Sequence, residues 1–308
     1  MSDQLTTAQV RQYHSNIEML LQQKGGVLGS LVRNEQQKAE KDFWEQLGSV
    51  RASKVDTRFA PSPQANTPHD RRMVTLAPYH TGDFIDSFEK ALTLIDPSSA
   101  YVQNFVNALL REKDAVVYLA IFGTSYTGKE GTTTVAWDST YRTVVDESFG
   151  TANSGLIVKK LIEAKRAWLA NHNNPQDESP QIVINAAGSA DLLNETQVTS
   201  ADYNSVRALV SGEVNTFMGF GFHHWEGYIP EDSSTNIMRG SSVGAGTETI
   251  DRYPVFTKSS VLLATGMGIE TEVCRRQDRS FHWYGYAKAM FGATRMQEKK
   301  IVEIEAKR

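Results

Sequence analysis

The stretch that decides the fold is "AIFGTSYTGKEG", residues 120 to 131. Gly123, four residues, then Gly128 and Lys129 spell most of a P-loop, the glycine-rich turn whose backbone cradles phosphates. Glu130 takes the place of the Ser or Thr that would hold magnesium. A carboxylate there repels a polyphosphate at close range. The flanks carry more weight. Upstream, Val102, Phe105, Val106, Leu109, Val116, Val117, Ala120 and Ile121 recur at i, i+3 and i+4, the period of a helix with one buried side. Asp96-Pro97 is a start signal, with Asp as cap and Pro at the first helical position. The spacing predicts a helix over 97–122, about 39 Å long at 1.5 Å per residue. Gly123 stands where helices commonly end on a left-handed glycine. "GTTTVAWDSTYRTVVDES" then reads as strand and turn. Helix, turn, strand is the reverse of the P-loop order. The stretch is therefore read as a turn: Gly123 ends a spine helix, and Gly128-Lys129 reverse the chain.

Working outward, residues 5–24 carry Ala8, Val10, Tyr13, Ile17, Leu20 and Leu21 at helical spacing, stopped by Gly25-Gly26. Residues 27–50 look helical but offer little that packs, so residues 1–50 read as an arm that needs a partner surface. "RASKVDTRFAPSPQANTPHD", residues 51–70, holds Pro61, Pro63 and Pro68 and reads as an extended loop, since proline fits neither a central strand nor a helix interior. A structureless loop of that length points to function or assembly. Its flanks are expected to pair as a projecting hairpin with the prolines at the tip. Further on, "SGLIVKKLIEAKRAWLANHN" predicts a helix capped by Ser154, "PQIVINA" a buried strand, "GSADLLNE" a capped helical turn or two, and "TSADYNSVRALVSGEV" another helix. "NTFMGFGFHHWEG" and "PVFTKSSVLLATGMGIE" read as strands, and the tail as two more: an aromatic one with Phe281, Trp283, Tyr284 and Tyr286, then "KIVEIEA". Helices and strands mix without a βα rhythm, so the fold class is α+β.

Composition narrows the function classes. A net charge of -4 argues against a general DNA-binding protein, which carries a basic excess, but suits one that sits near nucleic acid without adhering to it. No membrane span and no signal peptide are expected, and cytoplasmic synthesis is the expectation. The single Cys274 makes no intrachain disulfide and no cysteine metal site. His223 and His224 are adjacent, and on a strand they face opposite ways; His224 with Glu226 supplies at most two ligands. The glycine-rich "GSSVGAG" at 240–246 lacks dinucleotide spacing. No catalytic, cofactor-binding or metal residue is assigned, and the chain is not expected to be an enzyme.

Read together, "NTPHDRRMVTLAPYHTGDFID", "LIDPSSAYVQNFVNALLREKDAVVYLAIFGTSYTGKEG", "VTSADYNSVRALVSGEVNTFMGFGF" and "FGATRMQEKKIVEIEA" resemble the major capsid proteins of tailed double-stranded DNA bacteriophages, over roughly residues 40 to 308. The resemblance implies the Hong Kong 97-type capsid fold, with an N-terminal arm at 1–48 and an extended loop at 49–82. It implies a peripheral domain at 83–149 and 277–308 containing spine helix 97–122, and an axial domain at 150–276. It implies a virion shell subunit that self-assembles into hexamers and pentamers of an icosahedral head around double-stranded DNA. Portal, scaffolding and decoration proteins are the implied partners, without a cofactor. The polar loop 230–247 is expected to be a lineage-specific exposed surface. An encapsulin-like cargo shell shares the fold and stands as the alternative, and a P-loop nucleotide enzyme as a remote one.

Overall fold

A computed structural model describes residues 24–58, 62, 64–85, 98–137, 143–145, 149, 154–195, 216–227, 236–240 and 250–307. The first half contains helix α1 (Val27–Leu31), strands β1 (Arg33–Gln36), β2 (Lys41–Leu47), β3 (His69–Thr75) and β4 (Ala77–Ile85), and the long helix α2 (Ser98–Phe122). Then come β5 (Ser125–Thr127), β6 (Thr133–Val135), β7 (Thr143–Val145), helix α3 (Val158–Ala170), β8 (Gln181–Ile184) and helix α4 (Ala186–Asn194). The remaining strands are β9 (Thr216–Phe217), β10 (Phe220–His224), β11 (Arg239–Gly240), β12 (Ile250–Phe256), β13 (Val261–Arg275), β14 (Trp283–Arg295) and β15 (Val302–Lys307). They make three sheets, ordered β1-β13-β14-β4, β7-β15-β12-β8-β10-β9 with β11 beside β12, and β2-β3-β5-β6. The residues fall into two compact units. One gathers Pro78–Glu112 and Met267–Met290, the other Gly26–Ala77, Lys113–Gly266 and Phe291–Arg308.

The helix read from periodicity is α2, and its buried side is Phe105, Leu109, Val117, Tyr118 and Ile121. Each such side chain contributes roughly 1.5–3 kcal/mol when fully buried. The Asp96-Pro97 start signal lies outside the described residues, as do the expected helix at 5–23, "TSADYNSVRALVSGE" and most of loop 230–247. Gly123 closes the helix, donating its N–H to Leu119 O at 2.8 Å. It is not left-handed, contrary to expectation: the left-handed glycines of this stretch are Gly128 (φ 91) and Gly131 (φ 68). Gly123 is needed for closeness instead, since a Cβ there would meet Leu119 O at 2.6 Å.

Residues 27–50 are not one helix. They form the five-residue α1 and then two strands. So short a helix does not hold itself, because nucleation is costly. It is held by Asp114 of α2, whose buried carboxylate accepts N–H bonds from Gly26 (2.7 Å), Val27 (3.1 Å), Leu28 (3.0 Å) and Gly29 (3.3 Å). Leu28 and Val32 are fully buried. This part of the expected arm is therefore packed on its own chain.

In the larger unit, α3 packs along β15 and β7 with Leu161, Ala164 and Trp168 buried. It begins at Val158, with no side-chain cap, so the expected Ser154 cap is not made. The Ser154 carbonyl instead accepts from Lys160 Nζ at 2.7 Å, and Glu305 O accepts from the same buried ammonium at 2.9 Å. Helix α4 is capped by Asn185, whose Oδ1 accepts from the Gly188 N–H at 2.9 Å. The sequence "KIVEIEA" alternates as a half-exposed strand would, yet β15 is buried on both faces. Glu303 tolerates this because Arg252 pairs with it and Trp137 Nε1 donates to it at 2.7 Å.

In the smaller unit, the aromatic strand is β14, which starts at Trp283. Phe281 lies before it in the turn, 59% exposed with φ 57. Tyr284 stacks with Tyr286 (centroids 6.1 Å apart) and meets Phe84 at a tilt of 45° (4.6 Å). Gly285 admits Phe105, which would sit 2.9 Å from a Cβ there.

Candidate assembly surface

The stretch 120–131 folds as helix, β5, turn, β6. Strands β5 and β6 pair antiparallel, Ser125↔Val135 to Thr127↔Thr133, so Gly128-Lys129 do reverse the chain. No helix follows the glycines, and the backbone has no P-loop cradle. Gly131 lies on Met73 of β3, its missing Cβ 2.4 Å from Met73 Sδ. The exposed Lys129 lines a shallow pocket of about 280 Å³ with Glu45, His69, Asp70, Arg71 and Gly128. Two carboxylates in that lining oppose a polyphosphate.

Asp70 ties this hairpin to β3. Its Oδ1 accepts from the Thr127 hydroxyl and the Arg71 N–H; the single Thr127 proton is shared with Arg71 O, 2.7 Å from the same hydroxyl. Partial burial pushes the Asp70 carboxyl up, but the Thr127 and Arg71 bonds and the Arg72 charge outweigh it and leave it below the ordinary carboxylate value.

Beneath both hairpins lies a buried charge cluster. Arg295, fully buried, donates to Ile121 O (2.9 Å), Gly123 O (2.6 Å) and Val135 O (3.1 Å). Its Nε also reaches Glu298 at 3.3 Å, and Arg72 Nη2 meets both Glu298 oxygens at 3.1 Å. One glutamate thus holds two guanidiniums, one from β3 and one from β14. Sequence reading missed the cluster, because its members are scattered over more than two hundred residues.

The histidines are apart in role. His223 Nε2 is 2.7 Å from Gln181 Oε1, and burial lowers its pKa. His224 pairs with Glu226 at 3.0 Å, on the shared face expected, and Glu226 also accepts the Ala186 N–H at 2.7 Å. Among the described residues no group of three or more His, Cys, Asp or Glu is placed to hold a metal ion, and no helix is long and apolar enough to cross a membrane.

What the surface offers is a projecting hairpin. β2 and β3 pair in full register, Lys41↔Thr75 to Leu47↔His69. The Gly48 N–H donates to Pro68 O at 2.8 Å and closes its root, while Gln46 Nε2 donates to Met296 O at 2.8 Å. Pro68 therefore sits at the root, not the tip; Pro61 and Pro63 lie outside the described residues. Beyond the root, residues 49–58 are exposed throughout and belong to no helix or strand. Leu47 (71% exposed), Val50 (54%) and Val55 (73%) give this hairpin apolar side chains that nothing among the described residues covers.

Solved structures similar to this chain include phage capsids. The capsid of the cyanophage P-SCSP1u aligns with a TM-score of 0.69 at 15% identity, covering 98% of this chain and 94% of that one. The acid-stable capsid of Helicobacter pylori bacteriophage KHP30 aligns at 0.73 and 10% identity, over 100% and 98%. That of Mycobacterium phage Che8 aligns at 0.66 and 15% identity, over 96% and 97%. The fold is the α+β Hong Kong 97-type capsid fold. No curated protein matches the sequence. A family model described as phage capsid protein matches residues 5–307, and the chain accordingly belongs to the phage capsid protein family.

Proposed function

We propose that this major capsid shell protein forms hexamers and pentamers that close into an icosahedral head around double-stranded DNA. The observation that carries the reading is the hairpin 41–75, whose exposed Leu47, Val50 and Val55 have no cover among the described residues. In a member of the phage capsid family, repeated copies are the natural cover. The parts assign as follows: arm 1–48, extended loop 49–82, peripheral domain 83–149 and 277–308, axial domain 150–276. The arm's inner end is anchored on its own chain, residues 26–29 on α2 and 33–36 on β13, and the residues before it are assigned to a neighbour. Assembly takes place in the host cytoplasm, with portal, scaffolding and decoration proteins as partners, and the role is structural, not enzymatic. The acidic balance lets the shell hold DNA without strong attraction.

Electron microscopy of the purified protein, with the particle contents assayed for DNA and protein, tests this. Closed shells or capsomers, and DNA in particles made during infection, are expected. Monomers under every assembly condition would refute the reading; protein cargo in place of DNA would replace the phage head with a cargo shell.

A further inference from the structure

The turn between β13 and β14 gathers charge of one sign. Residues 274–283, "CRRQDRSFHW", hold three arginines against one aspartate, in a chain whose net charge is -4. Residues 275–281 are all exposed, and the Arg276 N–H donates to His282 O at 3.0 Å across the turn. Arg275 lies over the Trp283 ring, 4.7 Å from its centroid, and Arg276 over Tyr284 at 5.7 Å. Trp283 and Tyr284 are neighbours in β14, so the two guanidiniums lie on opposite faces. Arg276 is taken up by Asp278, at 3.0 and 3.2 Å. The acids of β13, Glu270 and Glu272, are on the face opposite Arg275, and Glu270 meets Lys288 at 3.2 Å. Among the described residues no carboxylate pairs with Arg275 or Arg279; Asp278 and Arg279 act on each other only at longer range.

The backbone presents an apolar ring beside these cations. Ser280 (φ 50) and Phe281 (φ 57) are consecutive left-handed residues without being glycine, a conformation that persists only where the surrounding structure fixes it. It leaves Phe281 59% exposed. A guanidinium set over a ring keeps its N–H fork in solvent and its plane fixed, which suits an oxyanion held by two bonds. A second copy offers no dense anion for it: among the described residues no three acidic side chains gather closely enough to hold a cation. A DNA duplex carries about one negative charge per 1.7 Å of its axis. We infer that the turn 275–283 binds the phosphate backbone of the enclosed double-stranded DNA, with Arg275 and Arg279 each on a phosphate and Phe281 against the groove edge beside them. The contact reads no base sequence, because it is made to phosphates. It is confined to this turn, in keeping with the acidic balance of the whole chain. The inference rests on the shell reading and gives the DNA one point of attachment per subunit.

The test begins with free subunits of the full chain, titrated with a short labelled duplex at several salt concentrations. The unmodified chain should bind at low salt. Arg275→Gln with Arg279→Gln should weaken binding about fivefold or more, and should lower the slope of log affinity against log salt by about 1.8, for two lost phosphate contacts. Arg51→Gln with Lys54→Gln removes the same charge from another exposed segment and should change the affinity less than about twofold. No binding at low salt, or equal losses in the two double variants, overturns the inference. So does tighter binding to polyglutamate than to the duplex, which would make the partner an acidic protein. The second arm puts a benzophenone side chain at position 281, and in a separate preparation at 277, and irradiates DNA-filled particles made during infection. Covalent DNA adducts on the peptide that carries the probe are expected. Filled particles with adducts to protein only, or with none, overturn the inference and leave the shell reading standing. If the unmodified chain forms no particles, the shell reading falls, and the inference with it.

Discussion

Two hairpins share the sheet β2-β3-β5-β6 and could hardly differ more. The β5–β6 hairpin turns in five residues, 128–132, on left-handed Gly128 and Gly131 and presses its turn onto Met73. Everything about its shape is accounted for within the chain. The β2–β3 hairpin is zipped in register up to Gly48 and Pro68, and beyond that its described residues hold exposed aliphatics and belong to no strand. Its outer part has no such account among the described residues, and on the proposed reading a neighbour supplies it. On the proposed reading, the contrast makes the tight hairpin a folding element and the long one an assembly element, although they are adjacent in one sheet.

The comparison can be broken first at its common base. Glu298→Ala leaves Arg72 and Arg295 buried without their carboxylate, and should cost about 3–5 kcal/mol, read as a lower midpoint in urea and loss of soluble protein. Gly131→Val attacks the tight hairpin alone. Its φ of 68 resists a β-branched residue and its Cβ would collide with Met73, so a loss of roughly 2–3 kcal/mol is expected by the same measurement. The paired change Val50→Ser and Val55→Ser attacks the long hairpin alone. Subunit stability should stay within about 0.5 kcal/mol, while particle yield by sedimentation falls several-fold; unchanged yield would erase the distinction drawn between the hairpins.

Two smaller effects sharpen it. The folded-state value of Asp70 lies below the ordinary one, so its contribution is complete above the unfolded carboxylate value and is lost as pH falls through the lowered one. Asp70→Asn should therefore flatten the acid limb of the stability curve below about pH 4 and leave neutral pH nearly unaffected. Lys129→Met should change neither folding nor assembly, because Lys129 is exposed in the turn and the stretch is no phosphate site. A loss of particles from that change alone would restore a role for the P-loop-like residues.

The sequence carried the long helix, since apolar residues at 3.6-residue spacing from Val102 to Ile121 leave little choice of element. It also carried the extended loop and the hairpin flanking it, because prolines forbid regular structure between the strands. It carried no metal or catalytic constellation to look for. What it hid depends on distant partners. Residues 27–31 become a helix through Asp114, and Glu303 is buried through Arg252 and Trp137, none of which is a sequence neighbour. The glycines hid their roles for a different reason: Gly123, Gly128 and Gly131 are all compatible with a left-handed turn, and the pairing of β5 with β6 decides which of them adopt one. β5 itself, three residues long, is below the length at which alternation is readable.

The closure between Gly48 and Pro68 is also a ruler. The nineteen intervening positions must leave the root and return to it, so the tip can stand no more than about 35 Å away even when fully extended. Any arrangement of copies in a shell must bring the surface met by that tip within this radius of the root, at flat and curved positions alike. A shell reconstruction at modest detail, sufficient only to place each subunit's centre and orientation, is enough to accept or discard candidate neighbours on that distance alone.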